Sequence, residues 1–365
     1  MSPIFILDDS PVPARFGVTA SLWASQLGLP LWSLRPDFDR RFHDSHQHVI
    51  RAGYCVTSGL CRSDTLLQEV TDATLLPTQD AVIVLAASQE QRIAMLPGSR
   101  LQSLTRSDQL ELRDGRQMLL QLAVDDYGRW STSHSQSAGP QVRIGLIGRE
   151  NDHRQVYPAT LAALGDAATA LELDVAVHFL PPASLSADLH ELNGLHGVVL
   201  PGGASMAAVA GQIRVAEATL SRTLPTLGLC LGMQSMSTAA VRQSKGFEQA
   251  IPAEVAPDAA LHSFIAFEDA RHRCGVLPIT FNGLPGAIPE MHYNHRYRFN
   301  PVLLPQLAAS GVKISAQTGD IVEGISLPAL PFWHGVQGHP ELLSRAGAPH
   351  PLFIAFLQAA FNPPA

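Results

Sequence analysis

The sequence lacks a long uninterrupted apolar run. No stretch approaches the roughly 20 residues that a membrane-spanning helix needs. The first segment, MSPIFILDDS, has no basic residue before its short apolar run, so it does not predict a signal peptide. The chain has only 4 cysteines in 365 residues, widely placed, which favours a reduced cytoplasmic protein over a disulfide-linked one.

Charge is also sparse, at 16% of residues, and no basic run accompanies the formal net charge of -7. This balance argues against nucleic acid and against a membrane surface as main partners. Histidines are clustered at His43, His46 and His48, but no carboxylate or cysteine pattern completes a metal site there. Cys55 and Cys61 fit no common zinc spacing. We therefore expect neither a metal nor a cofactor.

A chain of this length suggests two domains. Residues 127–140 are rich in Ser, Thr and Gly without apolar periodicity, which predicts a linker and a boundary between residues 138 and 139. Before it, residues 3–9 and 80–88 predict strands, and residues 13–28 predict a helix. We expect residues 1–138 to form a small α/β domain, in which no chemical motif indicates a role.

Residues 139–365 alternate between strand and helix patterns. Strands are predicted at residues 142–148, 173–180, 195–203 and 333–343, and helices at residues 157–171, 207–221 and 350–361. Residues 225–234 predict a strand that runs straight into a helix. This alternation predicts an α/β fold with a mainly parallel sheet and helices on both faces.

The segment GLCLGMQ, residues 228–234, contains a candidate nucleophile at Cys230. The cysteine stands where a buried strand gives way to a helix, with Gly228 and Gly232 allowing a tight turn, as in a nucleophile elbow. The helix N-terminus stabilises negative charge on sulfur, and the N–H of Leu231 can donate to an oxyanion. The alternative is a buried packing cysteine, which is the commoner role of a lone Cys.

Two further motifs provide partners for this cysteine. Gly202 and Gly203 end the preceding strand, where free N–H groups and the absence of Cβ let a substrate carbonyl come close. His339 can take the thiol proton and return it to leaving ammonia, while Glu341 can hold its ring. The sequence therefore predicts a Cys230–His339–Glu341 triad.

These motifs resemble the class I glutamine amidotransferase family and, within it, the C-terminal glutaminase domain of CTP synthases. The segments that carry the resemblance are LPGG, LGLCLGMQ, NHRYRFN, KISAQTGDIVEGISL, QGHPE and HPLFIAFLQAA, between about residues 142 and 360. The resemblance implies a flavodoxin-like fold. It also implies hydrolysis of L-glutamine to glutamate and ammonia through a cysteine thioester, the ammonia being passed to an acceptor or a partner synthetase.

The resemblance also implies roles for individual residues. Gly203 and Leu231 would form the oxyanion hole. The implied substrate-binding residues are Gly202, Gly203, Leu231, Gln234, Glu254, Arg296 and Tyr297. Glu254 would contact the α-amino group and Arg296 the α-carboxylate, which suits a zwitterionic amino acid.

The sequence departs from the family in four places. After Gly203, Ala204, Ser205 and residues 206–208 stand where the family has Phe-Gly and then an Arg-Gly pair. Residues 1–140 contain no G-x-x-x-x-G-K-[ST] phosphate loop, so this chain by itself cannot make CTP. Residues 271–281 replace the loop that links the family's domain to its GTP activator. Gly338 replaces a phenylalanine, which predicts a wider pocket beside His339.

Three other functions stay open at this point. The wider pocket and the altered segment after Gly203 favour a γ-glutamyl transferase or hydrolase acting on a γ-glutamyl conjugate. A regulatory protein that binds a synthetase without catalysis is the second. The third is a ligase activity of the N-terminal domain, for which the sequence shows no nucleotide signature.

Overall fold

The computed structural model describes residues 2–36, 67–133, 139–203, 206–282 and 288–362. The chain divides into two compact units, one formed by Met1–Gln136 with Asn151–Gly165 and the other by Ser137–Glu150 with Asp166–Ala365. The division at residue 138 that the sequence suggests stays a prediction. The histidines at residues 43–48 and the cysteines at residues 55 and 61 lie outside the described residues.

The regular elements are listed here in chain order. Before residue 139 they are β1 (Ile4–Asp8), α1 (Val18–Leu27), β2 (Leu31–Leu34), β3 (Leu67–Val70), β4 (Val82–Ala86), β5 (Ser99–Arg106), β6 (Gln109–Asp114), β7 (Gln117–Val124) and β8 (Trp130–Ser131). After it they are β9 (Gln141–Leu146), α2 (Glu150–Gln155), α3 (Ala159–Ala170), β10 (Asp174–Phe179), β11 (Gly197–Leu200), α4 (Val209–Leu220), β12 (Thr226–Leu229), α5 (Leu231–Arg242), β13 (Phe264–Ala266), β14 (Arg273–Pro278), β15 (Glu290–His295), β16 (Tyr297–Phe299), α6 (Leu304–Ala309), β17 (Lys313–Thr318), β18 (Ile321–Ser326), β19 (Trp333–Val336) and α7 (Pro351–Phe361).

The first unit is built on an 8-stranded sheet with the order β3-β2-β4-β1-β5-β6-β7-β8. Strand β1 pairs in parallel with both β4 and β5, and Phe5 and Ile6 are fully buried there. A central parallel strand is covered on both faces, which explains its continuous apolar sequence. The predicted small α/β domain is confirmed, although α1 begins only at Val18, after Gly17 in a left-handed turn.

The antiparallel part of this sheet was not predicted. Strands β5, β6 and β7 form a meander joined by two-residue turns, in which Ser107 and Gly115 have φ of 54° and 55°. Leu110 and Leu112 alternate with more exposed neighbours along β6. An Asp-Gly pair at residues 114–115 between such alternating strands is a recognisable hairpin signal.

The predicted linker is wrong in its first half. Residues Trp130–Ser131 form β8, which pairs with β7. The turn before it is held by Asp125, whose Oδ1 accepts from the backbone N–H groups of Tyr127 and Arg129 at 2.9 and 2.8 Å. These hydrogen bonds order residues 125–131. They depend on Asp125, so the Ser, Thr and Gly composition of the segment did not indicate them.

The second unit contains a 7-stranded sheet with the order β10-β9-β11-β12-β19-β18-β17. Its first five strands are parallel, and β18 and β17 are antiparallel. The predicted mainly parallel α/β sheet is confirmed. The carboxyl ends of β11, β12 and β19 meet at one edge of this sheet, where such folds bind their ligands.

Two smaller antiparallel pairs, β13 with β16 and β14 with β15, complete this unit. Strand β14 lies within residues 271–281, the segment that departs from the family, and places Arg273 opposite His295. Phe264 and Phe299 pack edge to face, with ring centroids 5.5 Å apart. None of the helices in the described residues combines the length and the apolar character needed to cross a membrane.

Candidate active site

Cys230 occupies a strained position between β12 and α5. Its φ and ψ are 47° and -105°, a conformation that a residue with a side chain rarely adopts. Its N–H donates to the carbonyl of Val336 at 2.8 Å, and its carbonyl accepts from the N–H of Gln234 at 3.1 Å. The sheet and the helix thus both hold the turn from which the sulfur projects.

The two glycines around Cys230 provide space and not backbone freedom. A Cβ on Gly228 would lie 2.3 Å from Sδ of Met236, and one on Gly232 would lie 1.9 Å from the carbonyl oxygen of Leu200. Among the described residues with positive φ, the cysteine itself appears and neither glycine does. The glycines let α5 approach the ends of β11 and β12 closely.

His339 and Glu341 lie just beyond β19. The imidazole Nδ1 is 2.8 Å from Oε1 of Glu341, and both side chains are buried. The backbone N–H of His339 donates to the carbonyl of His292 on β15 at 2.8 Å. Strand β19 actually ends at Val336, and Pro340–Leu342 forms a short 3-10 turn, so the predicted strand over residues 333–343 was too long.

Cys230 and His339 are close neighbours. Both pack against Gly202, whose Cβ, if present, would lie 3.2 Å from Cε1 of His339 and 3.3 Å from Cβ of Cys230. Burial by itself would lower the pKa of His339, but the charges of Cys230 and then Glu341 outweigh it and raise this pKa well above its usual value. The surroundings of His339 therefore favour its protonated form.

The residues predicted for the oxyanion hole border this pair. Gly203 follows Gly202, and among the described residues that are not its chain neighbours no atom lies within 4 Å of the Cβ position at Gly203. Leu231 is the first residue of α5, and an N–H in the first helical turn has no partner within the helix. Both N–H groups belong to segments that contact the nucleophile.

The predicted substrate residues fall into two groups. The first group lies around Cys230. It includes Gln234, which is buried on α5 and whose Nε2 donates to Oε1 of Gln337 at 3.4 Å. Glu254, Arg296 and Tyr297 form the second group. Partial burial raises the pKa of Glu254 and Arg296 opposes that change, so these two charges interact.

Tyr297 belongs to the same electrostatic group. Partial burial raises the pKa of Tyr297, Glu254 raises it further, and Arg296 lowers it. The neighbouring His295 has its pKa lowered to about 4, mainly by burial, and the charge of His339 contributes. His295 thus lies close enough to His339 for their charges to interact.

Gln337 is a site residue that the sequence reasoning missed. Its side chain is 1% exposed, and Nε2 donates to Sγ of Cys230 at 3.7 Å. A signal was present, because Gln337 precedes His339 by two residues and alternate residues of an extended chain share a face. No role was assigned to it because the base and the carboxylate explained the motif.

The predicted wider pocket beside His339 is wrong. A Cβ on Gly338 would lie 2.4 Å from Sδ of Met291 and 2.8 Å from the carbonyl oxygen of His292. Met291, which is fully buried on β15, fills the volume that a side chain at position 338 would occupy. The glycine therefore reflects close packing and opens no additional space for a substrate.

A buried ion pair lies beside these residues. The guanidinium of Arg273 is 2.6 Å from Oε1 of Glu323, and their side chains are 8% and 0% exposed. Arg273 also lies over the ring of Tyr293, at 4.9 Å from its centroid. Burial raises the pKa of Glu323 to about 7 although Arg273 opposes it. The backbone carbonyl of Glu323 accepts from Gln337 at 2.8 Å, which connects the pair to the site.

Metal-binding chemistry has no candidate in the described part of the chain. No group of three or more His, Cys, Asp or Glu residues there could hold a metal ion. The candidate site consists instead of a thiol, an imidazole, a carboxylate and backbone N–H groups, which are the groups that acyl-transfer chemistry uses.

Comparisons with known proteins agree with this chemistry. Residues 166–359 match the family model described as glutamine amidotransferase class-I. A CTP synthase from Gloeothece citriformis (strain PCC 7424) is 31% identical over 258 residues, which cover 65% of this chain and 46% of that protein. A CTP synthase from Synechococcus sp. (strain CC9605) is 32% identical over 243 residues, covering 61% and 44%.

The chain thus spans about half the length of the curated relatives it matches. Among solved structures, the glutaminase domain of Trypanosoma brucei CTPS with bound acivicin superposes with a TM-score of 0.56 and 23% identity, covering 60% of this chain and 94% of that chain. At this identity the likeness concerns the fold.

Proposed function

Because this chain belongs to the class-I glutamine amidotransferase family, we propose that residues 139–365 hydrolyse L-glutamine to L-glutamate and ammonia. The observation that carries the proposal is the convergence of Cys230, His339 and Glu341 at one sheet edge. Burial alone would lower the pKa of His339, but the charges of Cys230 and Glu341 raise it well above its usual value, so that an imidazolium there can stabilise a thiolate.

The reaction follows from this arrangement. The thiolate of Cys230 attacks the δ-carbonyl carbon, and the N–H groups of Gly203 and Leu231 stabilise the resulting oxyanion. His339 gives its proton to the departing nitrogen, so ammonia leaves and a γ-glutamyl thioester forms. His339 then takes a proton from water, which cleaves the thioester to glutamate and restores the thiolate.

The free amino acid end of glutamine is recognised by the second group of residues. Arg296 binds the α-carboxylate and Glu254 the α-ammonium, because a guanidinium and a carboxylate complement these charges. Support comes from the electrostatic interaction between Arg296 and Glu254 and from the link of His295 to His339.

The ammonia is passed to an acceptor held elsewhere, either by the N-terminal domain or by a partner synthetase. Free ammonia becomes protonated in neutral water, and the ammonium ion is not a nucleophile, so release into solvent would waste the product. The relatives named CTP synthase are about twice as long as the region they share with this chain. In this chain a partner synthetase would take the place of the part of those relatives that lies outside the shared region.

Ammonia release from L-glutamine by the purified full chain tests the proposal. Cys230→Ala should lower kcat by at least about a thousandfold, because the nucleophile itself is lost. Cys274→Ala is the matched control, since this cysteine is exposed on β14, and it should keep wild-type activity. Mass spectrometry of acid-quenched protein should find a γ-glutamyl adduct on Cys230.

Two results would replace this function by another. Turnover of γ-glutamyl amides with no turnover of glutamine would indicate a γ-glutamyl hydrolase or transferase, although Met291 already fills the space that Gly338 was expected to open. Glutamine binding without any turnover would indicate a regulatory binder.

A further inference from the structure

Gln212 on α4 connects the two segments that form the candidate oxyanion hole. Its side chain is 2% exposed, and its Nε2 donates to the carbonyl oxygen of Pro201 at 3.1 Å. Its Oε1 accepts from the hydroxyl of Ser235 on α5 at 3.1 Å, and Ser235 is fully buried. The amide thus links the end of β11 to the helix that begins after Cys230.

The chemistry of the partners fixes the orientation of this amide. A peptide carbonyl only accepts hydrogen bonds, so the NH2 group of Gln212 must face Pro201 and its oxygen must face Ser235. The hydroxyl of Ser235 is then the donor. Both polar ends of the side chain are used, within a region closed to water.

The carbonyl of Pro201 determines where the next N–H points. A peptide unit is planar, so the carbonyl of Pro201 and the N–H of Gly202 are fixed together. Gly202 packs against Cβ of Cys230 and Cε1 of His339, as the distances of 3.3 and 3.2 Å from its Cβ position show. Restraining this one carbonyl therefore restrains the backbone that faces the reacting sulfur.

Glycine makes such a restraint necessary. Gly202 and Gly203 let a substrate approach closely, but they also have the greatest backbone freedom of any residue. An oxyanion hole is effective only if its donors already point at the developing charge. An external anchor on residue 201 limits the motion of residues 202–203 at their first peptide.

We propose that Gln212 is a positioning residue that holds residues 201–203 against the helix that follows Cys230, through Ser235, so that the N–H of Gly203 faces the oxyanion. The inference rests on the proposed glutaminase function. A merely structural Gln212 would join α4 to its neighbours and would have no specific effect on the transition state.

The test compares Gln212→Met, which keeps the length of the side chain and removes both hydrogen bonds, with the wild-type full chain. We expect kcat for glutamine to fall about 10- to 100-fold, less than the loss of a whole oxyanion donor. KM should change by less than about twofold, because ground-state binding does not use the oxyanion hole. Gln358→Met, at an exposed position of α7, is the matched control and should behave as wild type.

A second variant and an inhibitor separate positioning from folding. Ser235→Ala keeps the bond from Gln212 to Pro201 and removes only its support, so the fall in kcat should be smaller. The aldehyde analogue of glutamine, glutamate γ-semialdehyde, adds to the thiolate and places an oxygen in the hole. The affinity of Gln212→Met for this aldehyde should fall in parallel with kcat. The thermal unfolding midpoint of each variant is measured as well, to separate positioning from folding.

The outcomes distinguish this inference from the proposed function. If Gln212→Met keeps wild-type kcat and aldehyde affinity, the inference is overturned while the glutaminase stands. A wild-type protein without ammonia release overturns the function. In that case amide hydrogen exchange at Gly202 and Gly203 still decides, since exchange in Gln212→Met that is no faster than in wild type contradicts the positioning role.

Discussion

The side-chain amide of Gln337 donates a hydrogen bond to Sγ of Cys230 over 3.7 Å. The same side chain accepts from Gln234, so a short chain of amides runs from α5 to the sulfur. His339 stands two residues further along the same strand end. One segment therefore places both an imidazole and a neutral amide donor beside Cys230, and such a donor stabilises negative charge whenever the sulfur carries it.

Replacing Gln337 by leucine should lower the reactivity of the Cys230 thiol. A hydrogen bond to a charged group contributes roughly 1.5–3 kcal/mol, so kcat/KM should fall about 10- to 100-fold. Alkylation of Cys230 by iodoacetamide at neutral pH should slow as well, because the reactive form of cysteine is the thiolate. The measurement uses a Cys274→Ala background and peptide mass spectrometry, so that alkylation of Cys230 is followed separately from that of Cys55 and Cys61. Unchanged alkylation would show that the contact at 3.7 Å does not stabilise the sulfur.

The pH dependence of the reaction should report the charge of Glu341. Burial lowers the pKa of His339, but Cys230 and Glu341 raise it by more than burial lowers it. In Glu341→Gln one of the two raising charges is lost, so the ring loses its proton at lower pH. The alkaline limb of kcat should therefore move to lower pH. An alkaline limb that stays in place would mean that Glu341 does not set the protonation of the base.

Gly338→Ala should damage the site although it adds only one methyl group. The new Cβ would meet Sδ of Met291 at 2.4 Å and the carbonyl of His292 at 2.8 Å, and that carbonyl holds the N–H of His339. We expect a loss of stability of about 1–3 kcal/mol and a clear fall in kcat. Adding Met291→Ala should recover stability more than activity, because only the clash with the side chain is relieved. Wild-type values for Gly338→Ala, by urea unfolding and ammonia release, would contradict the packing.

Removing one partner of the Arg273–Glu323 pair should destabilise the fold in a pH-dependent way. Arg273→Met leaves a fully buried carboxyl without its counter-charge, which costs about 3–5 kcal/mol near neutral pH. The folded-state pKa of Glu323, about 7, is raised above its unfolded value of 4.5. The protonated carboxyl of Glu323 therefore contributes its full stability below pH 4.5, the unfolded-state pKa. That contribution is lost as the pH rises through the folded-state pKa of about 7.

Urea unfolding of Arg273→Met should accordingly show a larger deficit at pH 8 than at pH 6. The double variant Arg273→Met with Glu323→Gln should regain most of the loss and show less dependence on pH. Arg271→Met is the matched control, since its pair with Asp269 is exposed and should contribute close to nothing. A deficit independent of pH would mean that the carboxyl of Glu323 is not the source of the instability.

Much of the second unit could be predicted because its signals are local. Buried parallel strands such as β9 and β12 are continuous apolar segments, and the Gly-x-Cys-x-Gly turn marks where β12 meets α5. The meander of the first unit also carried a local signal, the Asp-Gly pair at residues 114–115, where β6 ends and the turn to β7 begins. The role of Glu254 came only from a resemblance, since a lone carboxylate carries no pattern of its own.

The sequence by itself determined the fold class, the strand-to-helix position of Cys230 and the spacing between His339 and Glu341, because each depends on neighbours within a few residues. Only the tertiary structure decided that Gln337 reaches the sulfur, that Met291 fills the space beside Gly338 and that Gln212 joins Pro201 to Ser235. These contacts join residues distant in the chain, and their distances depend on how the sheet and helices pack, which no local pattern encodes.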